Sequence, residues 1–279
     1  MRQFGYFFIL ILISNFGFAQ FPNTDSSYFF LHGGSNTEEF RDACNHSIDS
    51  GYVMIGTTSS YSGQGSDIFI VKTDWKGNTK WSRTIGGTGM ENGFSIKETF
   101  DHGFILGGIT NSNANNDYNI LLIKTDQHGF VEWQKTYGGN DWDFLYSVVQ
   151  APDSGYVLAG ETYSFGNQSS NIYVIRTDKN GDTLWTRNYG GTGKDALNKI
   201  IFTADNNLLG VGYSESNSFG LKDLYLIKCN FISGDTIFTR RFGGAYNDEA
   251  LSVVEHEQLD SGYVLVGYTE SFTSAHDRD

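Results

Sequence analysis

Apolar positions along the chain fall into short runs of seven or eight residues, separated by glycine, aspartate, asparagine and serine. The stretch after Gly139 shows the pattern: FLYSVVQ, GYVLAGET, NIYVIRTD and TLWTRNYG follow one another with only short polar breaks. β-Branched and aromatic residues dominate these runs, so each predicts a strand. The second and third runs are almost continuously apolar, which predicts burial on both faces. A lone four-stranded sheet cannot cover both of its faces. A sheet stacked between two similar sheets can.

The four-run unit recurs. Gly-Gly pairs begin at Gly33, Gly86, Gly138, Gly190 and Gly243, at spacings of 53, 52, 52 and 53. Gly56, Gly108, Gly160 and Gly212 stand near the end of the second run at intervals of 52, and Gly267 follows after 55. The third runs open at Asp67, Asn119, Asn171 and Asp223, again 52 apart. An aromatic residue stands five positions before each Gly-Gly: Tyr28, Trp81, Trp133, Trp185 and Phe238. Four strands per unit, this period and two-sided burial predict an all-β fold, a β-propeller of four-stranded antiparallel blades. A β-solenoid would need shorter coils, and an array of small domains would need linkers that the sequence lacks. The segment SSYFFLHGG (26–34) matches only a fourth strand, four complete units follow, and the last unit supplies a first and second strand. Nineteen strands are thus predicted, without a third strand in the last unit. The expectation is a truncated chain whose full product continues with at least one more strand.

Two repeated phrases, IVKTDWKGNTKWSRTIGG (70–87) and VIRTDKNGDTLWTRNYGG (174–191), carry the local chemistry. Asp74, Gly77 and Asn78 join the third and fourth strands, as do Asp178, Gly181 and Asp182. Aspartate bonds the backbone two residues on and glycine accepts positive φ, so this is turn chemistry. Read as a calcium loop, it lacks the ligand count and the distal bidentate glutamate. Trp81, Trp133, Trp185 and Phe238 are expected to pack against the neighbouring blade. Gly87, Gly139 and Gly191 are expected to form the hinge to the next blade. GGTGKD (190–195) lacks the spacing, the Ser/Thr after lysine and the helix of a phosphate loop.

An acid follows each hinge: Glu38 or Glu39, Glu91, Asp143, Asp195, and Asp248 or Glu249. Taken as Glu39, Glu91, Asp143, Asp195 and Asp248, they form a candidate cation site, calcium in particular, around the ring axis. The competing reading has each carboxylate accept N–H bonds from an adjacent turn. Five residues past the second-strand glycine stand Tyr61, Phe165 and Phe272, with Asn113 and Asn217 in the other units. These either form a ligand surface, stacking on sugar rings, or cover the blade tips.

Composition narrows the classes of function. The chain has 279 residues, 34 glycines, two prolines and a net charge of −13. That charge argues against nucleic acid and anionic membrane as partners. MRQFGYFFILILISNFGFAQ places an apolar run at 4–13 behind one arginine, with Gly17 and Ala19 at the cleavage positions. The run is too short to cross a bilayer, so 1–19 reads as a signal peptide and 20–279 as the propeller domain, without a transmembrane segment. No cysteine follows closely enough for a lipid anchor. Cys44 and Cys229 are expected to be unpaired, the first in a core position and the second near a strand end. The six histidines hold no equivalent positions, EHEQL around His256 lacks the second histidine of a zinc motif, and no GxSxG occurs. Catalytic residues are not identified, and paired acids for glycoside hydrolysis remain open because their test is a distance.

Taken together, GG-x-x-x-(D/E), DSGY(V/I)LxG and DIYVIKTD-x-x-G-(N/D)-x-x-W over 26–279 resemble the repeat of secreted propeller proteins of Gram-negative bacteria. The resemblance implies export by the general pathway and then by the type IX machinery, which reads a C-terminal sorting domain not visible in this chain. Some members of that group carry endoglucanase-type names. The D-x-x-G-x-x-x-W piece also resembles the repeat of quinone-dependent dehydrogenase propellers, whose rings are larger and whose catalytic residues have no counterpart here. The functional expectation is a secreted or cell-surface module that binds a glycan or protein partner. The alternatives are a glycan-active hydrolase with paired acids on one face, or a structural spacer in a larger exported protein.

Overall fold

The computed structural model describes residues 32–63, 65–112, 117–166, 169–256 and 262–272. The expected signal peptide, Tyr28, Asn113 and most of the expected N-terminal strand lie outside these residues. The first sheet is β1 (Glu38–His46), β2 (Gly51–Thr58), β3 (Asp67–Thr73) and β4 (Thr79–Ile85). The second is β5 (Glu91–Glu98), β6 (Phe104–Thr110), β7 (Asn119–Thr125) and β8 (Val131–Tyr137). The third is β9 (Asp143–Gln150), β10 (Tyr156–Thr162), β11 (Asn171–Thr177) and β12 (Thr183–Tyr189). The fourth is β13 (Asp195–Phe202), β14 (Leu208–Ser214), β15 (Asp223–Cys229) and β16 (Thr236–Phe242). β17 (Asp248–His256) and β18 (Gly262–Thr269) form a two-stranded sheet. All pairs are antiparallel and follow chain order. These are the blades of a β-propeller, four complete and one partial, in a ring that the described strands do not close.

The core lies between sheets. Val157, Ala159, Ile172 and Val174 of the third blade pack with Leu197, Ile200, Leu208 and Ile227 of the fourth. Val53, Ile55, Ile68 and Ile70 of the first blade meet Ile96, Phe104, Leu106 and Ile123 of the second in the same way. β3, β6, β7, β10, β11, β14 and β15 are buried along nearly their whole length, while β4, β8 and β12 alternate between exposed and half-buried positions. Fourth strands are therefore the outer edges of the blades. The first strands lie innermost, bonded from blade to blade: Asp42 Oδ2 accepts the Ile96 N–H at 3.0 Å, and Ser95 Oγ accepts that of Val148 at 3.3 Å.

Every first strand carries a bulge, where Arg41, Phe94, Tyr146, Asn198 and Leu251 fall out of register with the second strand. The bulge bends the strand and sharpens its twist. It also explains the repeated second-strand glycine. A Cβ on Gly160 would sit 2.0 Å from the Phe144 carbonyl oxygen, and one on Gly212 would sit 2.1 Å from that of Ala196.

Blades are also locked from the side. Trp81 stands 6.3 Å, centroid to centroid, from Phe104 of the next blade, and Trp133 stands 5.8 Å from Tyr156. The rings lie beneath the glycines of the following third-to-fourth-strand turns. A Cβ on Gly129 would meet Trp81 at 2.8 Å and one on Gly181 would meet Trp133 at 2.9 Å, and both glycines have φ near +80°. Phe238 packs beside Tyr263 and Leu265 of the last sheet. Cys44 is half-buried and Cys229 buried, and both are free thiols.

A ladder of buried cations crosses the blades from within. Lys72, Lys124, Arg176 and Lys228 occupy one position of the third strands and are nearly inaccessible. Each meets an aspartate in the turn between first and second strands: Lys72–Asp49 at 2.5 Å, Lys124–Asp101 at 3.0 Å, Lys228–Asp205 at 2.7 Å, and Arg176 with Asp153. The residue after each aspartate (Ser50, His102, Ser154, Asn206) has positive φ. Removing one partner strands a buried charge, which is more damaging than the net worth of the pair.

Two outcomes test this architecture. Trp133→Ala should lower the unfolding free energy by about 3–5 kcal/mol in a denaturant titration, and a loss below about 1 kcal/mol would show that the ring does not lock the blades. The second concerns acid. Hydrogen bonds from Lys228 and Thr203 hold the Asp205 carboxyl far below its usual value. At Asp49 and Asp101 burial pushes upward but is outweighed by bonds from Lys72 and from Thr99 and Lys124, so both also lie low. Carboxyls depressed in the fold add stability that is complete above the ordinary value of 3.8 and is lost as pH falls through the folded values. Melting temperature should drop steeply below about pH 4, and Asp205→Asn should be less stable at neutral pH with a shallower acid loss. An unchanged acid profile in that variant contradicts the ladder.

Candidate functional site

The hinges and the loops between second and third strands share one end of the blades. The acids after the hinges sit there inside a repeated bracket. Asp195 Oδ2 accepts the Gly191 N–H at 2.9 Å and the Ser216 hydroxyl at 2.6 Å, and Oδ1 accepts the Ser214 hydroxyl. Asp143 is held by Gly139 at 2.8 Å, Ser164 at 2.7 Å and Thr162. Glu91 is held by Gly87 at 2.6 Å, and by Thr110 and Ser112 at 2.5 Å each. Asp248 takes Gly244 at 2.9 Å, Ser271 at 2.6 Å and Thr269. In the first blade this place belongs to Glu38, which takes Gly34 at 3.1 Å and Thr58 at 2.8 Å. Glu39 instead pairs with Arg41 at 2.9 Å. The environment decides how each carboxyl titrates. Burial dominates at Asp143 and raises it, whereas at Asp248 burial is outweighed by the Ser271 and Thr269 bonds and the carboxyl lies low. The bracket uses the carboxylate lone pairs to fasten the hinge to its own blade. Among the described residues no three His, Cys, Asp or Glu side chains are grouped to hold a metal ion.

The loop aromatics lie over these hinges. Tyr61 donates its hydroxyl to the Gly33 carbonyl at 2.9 Å and packs on Phe69 at 5.6 Å. Phe165 packs on Tyr173 at 5.4 Å, and its ring edge would meet a Cβ on Gly139 at 3.2 Å. Phe272 is exposed beside Gly244, lining an open groove of about 520 Å³ with Phe219, Arg241, Phe242 and Tyr268. That groove lies along β18, which among the described strands pairs with β17 alone. Asn217 is exposed with φ +56°, and Asn113 lies outside the described residues.

A denser group of rings sits at the same end, between the second and third blades. Tyr118 packs edge-on against Trp142 at 6.0 Å and stacks on Phe144 at 5.9 Å. Phe144 lies parallel to Tyr146 at 6.4 Å and meets Tyr163 edge-on at 6.5 Å. Tyr146 extends the chain of rings to Phe94 at 5.6 Å, over which Arg41 lies at 4.4 Å. Trp142 is 49% exposed and so presents a large ring to solvent. Alternation along β9 puts 144 and 146 on one side, with Trp142 just ahead of the strand. The bulge at Tyr146 aims it toward β10, where its hydroxyl donates to Glu161 Oε1 at 2.7 Å.

Glu161 is only 7% exposed, and its Oε2 is buried without a hydrogen-bond partner. Glu249 accepts Asn198 at 2.7 Å and Tyr268 at 3.0 Å. Burial, Glu161 and Glu249 together push the Tyr213 phenol well above its usual value. Glu161 and the Tyr146 and Tyr163 phenols thus border the rings, while Glu249 stands with Asn198 and Tyr268 on the fourth and fifth blades.

The repeat does not announce this group, because its residues are not the ones that repeat. Where Trp142 stands, the other blades have Thr37, Met90, Lys194 and Asn247; where Glu161 stands, they have Thr57, Ile109, Tyr213 and Tyr268. Departure from the repeat was the signal available.

No protein-family model matches the chain. It is 25% identical over 177 residues to the regulatory protein FlaEY of Caulobacter vibrioides, an alignment covering 54% of this chain and 18% of that protein. The chain thus spans less than a fifth of that curated relative. Among solved structures it is similar to a protein of unknown function from Bacteroides caccae, with a TM-score of 0.54, 9% identity, and coverage of 84% of this chain and 73% of the other. It is also similar to an ACO/RPE65 chimera, with a TM-score of 0.50, 12% identity, and coverage of 84% and 57%. At these identities the likeness concerns the fold, and it places the chain with propeller-type proteins.

Proposed function

We propose that this chain is a non-catalytic binding module of the cell surface or medium, which holds a glycan on the aromatic group of its second and third blades. The observation that carries this reading is Trp142, half exposed on a layer of Tyr118, Phe144 and Tyr163 rings. Aromatic faces offer apolar area at low entropic cost, and polar groups around them fix orientation. The C–H faces of a pyranose fit such a layer, and the exposed Asp141, whose Oδ1 accepts the Trp142 N–H at 2.8 Å, stands beside it for the hydroxyls. A net charge of −13 leaves nucleic acid an unfavoured partner. The apolar leader at 4–13 and the repeat resemblance support export by the general pathway and then the type IX route.

One observation favours a second reading, a glycan hydrolase: Glu161 is a buried acid with an unused oxygen, and Glu249 influences the same phenol. A structural spacer would bind nothing.

A glycan array followed by calorimetry separates these readings. Binding should fall at least tenfold in Trp142→Ala, while the melting temperature stays within a few degrees of the parent. Reducing-end release abolished by Glu161→Gln would replace the binding reading by the hydrolase. Absence of binding to every glycan would leave the spacer. For export, mass spectrometry of the secreted protein should find Gln20 as its first residue, and a chain that retains 1–19 refutes the leader.

A further inference from the structure

The residues that set the third blade apart share a chemistry. Asp141 stands where the other blades have Asn36, Gly89, Gly193 and Tyr246, and Tyr163 stands where they have Ser59, Asn111, Glu215 and Glu270. Trp142 and Glu161 break the repeat in the same sense. Together they add rings and acids to one end of the blade, and no lysine or arginine.

The two acids lack the cations that other acids of this chain possess. Asp141 is exposed, and its Oδ1 accepts the Trp142 N–H at 2.8 Å. Its own N–H donates to Ser164 Oγ at 3.1 Å, so the carboxylate is fixed beside the exposed indole. Glu161 is the register partner of Phe144 and takes the Tyr146 hydroxyl at 2.7 Å, while its buried Oε2 has no hydrogen-bond partner. Among the described residues neither acid has a lysine or arginine at ion-pair distance. Asp49, Asp101, Asp153 and Asp205 each have one.

Elsewhere at this end of the blades the chain completes such arrangements itself. The Arg41 guanidinium lies 4.4 Å over the Phe94 ring and 2.9 Å from Glu39. The Lys222 ammonium lies 3.8 Å over the Tyr213 ring and 3.9 Å from Glu249. Each is a ring, a carboxylate and a cation between them. Trp142 and Asp141 supply the ring and the carboxylate, and among the described residues no lysine or arginine lies over that ring. Indole is the side chain whose face attracts cations best.

We infer that the glycan held by the aromatic group is cationic: a sugar with a free amine, of the glucosamine kind, whose ammonium lies over Trp142 and pairs with Asp141. This rests on the glycan reading above and narrows it to one class of sugar. The pyranose C–H face meets the rings, and the ammonium donates to the Asp141 carboxylate. Glu161 adds attraction from a buried position, where salt screens it less. The net charge of −13 draws such a ligand toward the chain as a whole.

Calorimetry of the full chain at mildly acidic pH compares a glucosamine tetramer with its fully N-acetylated counterpart, in which the same rings carry no charge. The amine form should bind about tenfold more tightly, which a cation–π contact and one exposed ion pair supply together. The preference should shrink as sodium chloride is raised. Asp141→Asn keeps an acceptor for the Trp142 N–H and removes only the charge. It should lose most of the preference while binding the N-acetylated tetramer as the parent does. Asp235→Asn makes the same change of charge in the turn between β15 and β16, at the opposite end of the blades, and should leave the preference intact. Tetralysine, a cation without pyranose rings, should bind more weakly than the glucosamine tetramer. A preference that Asp141→Asn retains, or that tetralysine matches, overturns the inference, because net charge alone would then attract any cation. Equal affinity for the two tetramers, lost for both in Trp142→Ala, overturns it and leaves the glycan reading standing. Absence of binding to either tetramer and to every other glycan overturns both.

Discussion

Everything in this molecule depends on the burial of each sheet against its neighbours. Second and third strands such as β6, β7, β10 and β11 are apolar on both faces, and no single blade has anything with which to cover them. The cores accordingly bridge adjacent blades, with Val157 and Val174 facing Leu197 and Ile227. The unit repeats because one copy would expose a hydrophobic surface that only a second copy can match. The Trp81 and Trp133 rings under the next blade's turn, the bulges of the inner strands and the glycines that make room for them all serve that stacking.

The same constraint sorts residues by purpose. Positions that repeat are those that stacking needs: the hinge glycines, the bracketed acids, the indoles and the Lys–Asp ladder. The carboxylates of the bracket are consumed within the fold. Asp195, with three donors on two oxygens, fastens the Gly191 hinge to the Ser214–Ser216 stretch of its own blade. Positions that break the repeat are free of that duty. Trp142 and Glu161 each stand where the sister blades carry a different chemistry, and each has surface or a lone pair that the fold leaves unused.

Much of the fold was legible in the sequence because a propeller writes its plan several times. Strand starts at Asp67, Asn119, Asn171 and Asp223 coincide with β3, β7, β11 and β15. The bulges were not legible, since a bulge adds one residue to a run without changing its apolar character. The ion ladder was hidden for another reason: Asp101 and Lys124 are 23 positions apart and meet only because β6 and β7 run antiparallel. In the first unit the repeat offered both Glu38 and Glu39, and only the register with Thr58 places Glu38 in the bracket. The aromatic group was obscured because Trp142 and Glu161 belong to what the units do not share, and periodicity says nothing about such positions.

If stacking between blades is the source of order, a single blade has none of its own. A peptide spanning one complete repeat, residues 138–190, measured by circular dichroism and amide hydrogen exchange, tests this directly. The expected result is an unfolded chain without protected amides, although the same residues are strands in the whole protein. A monomeric peptide that folds cooperatively would contradict it.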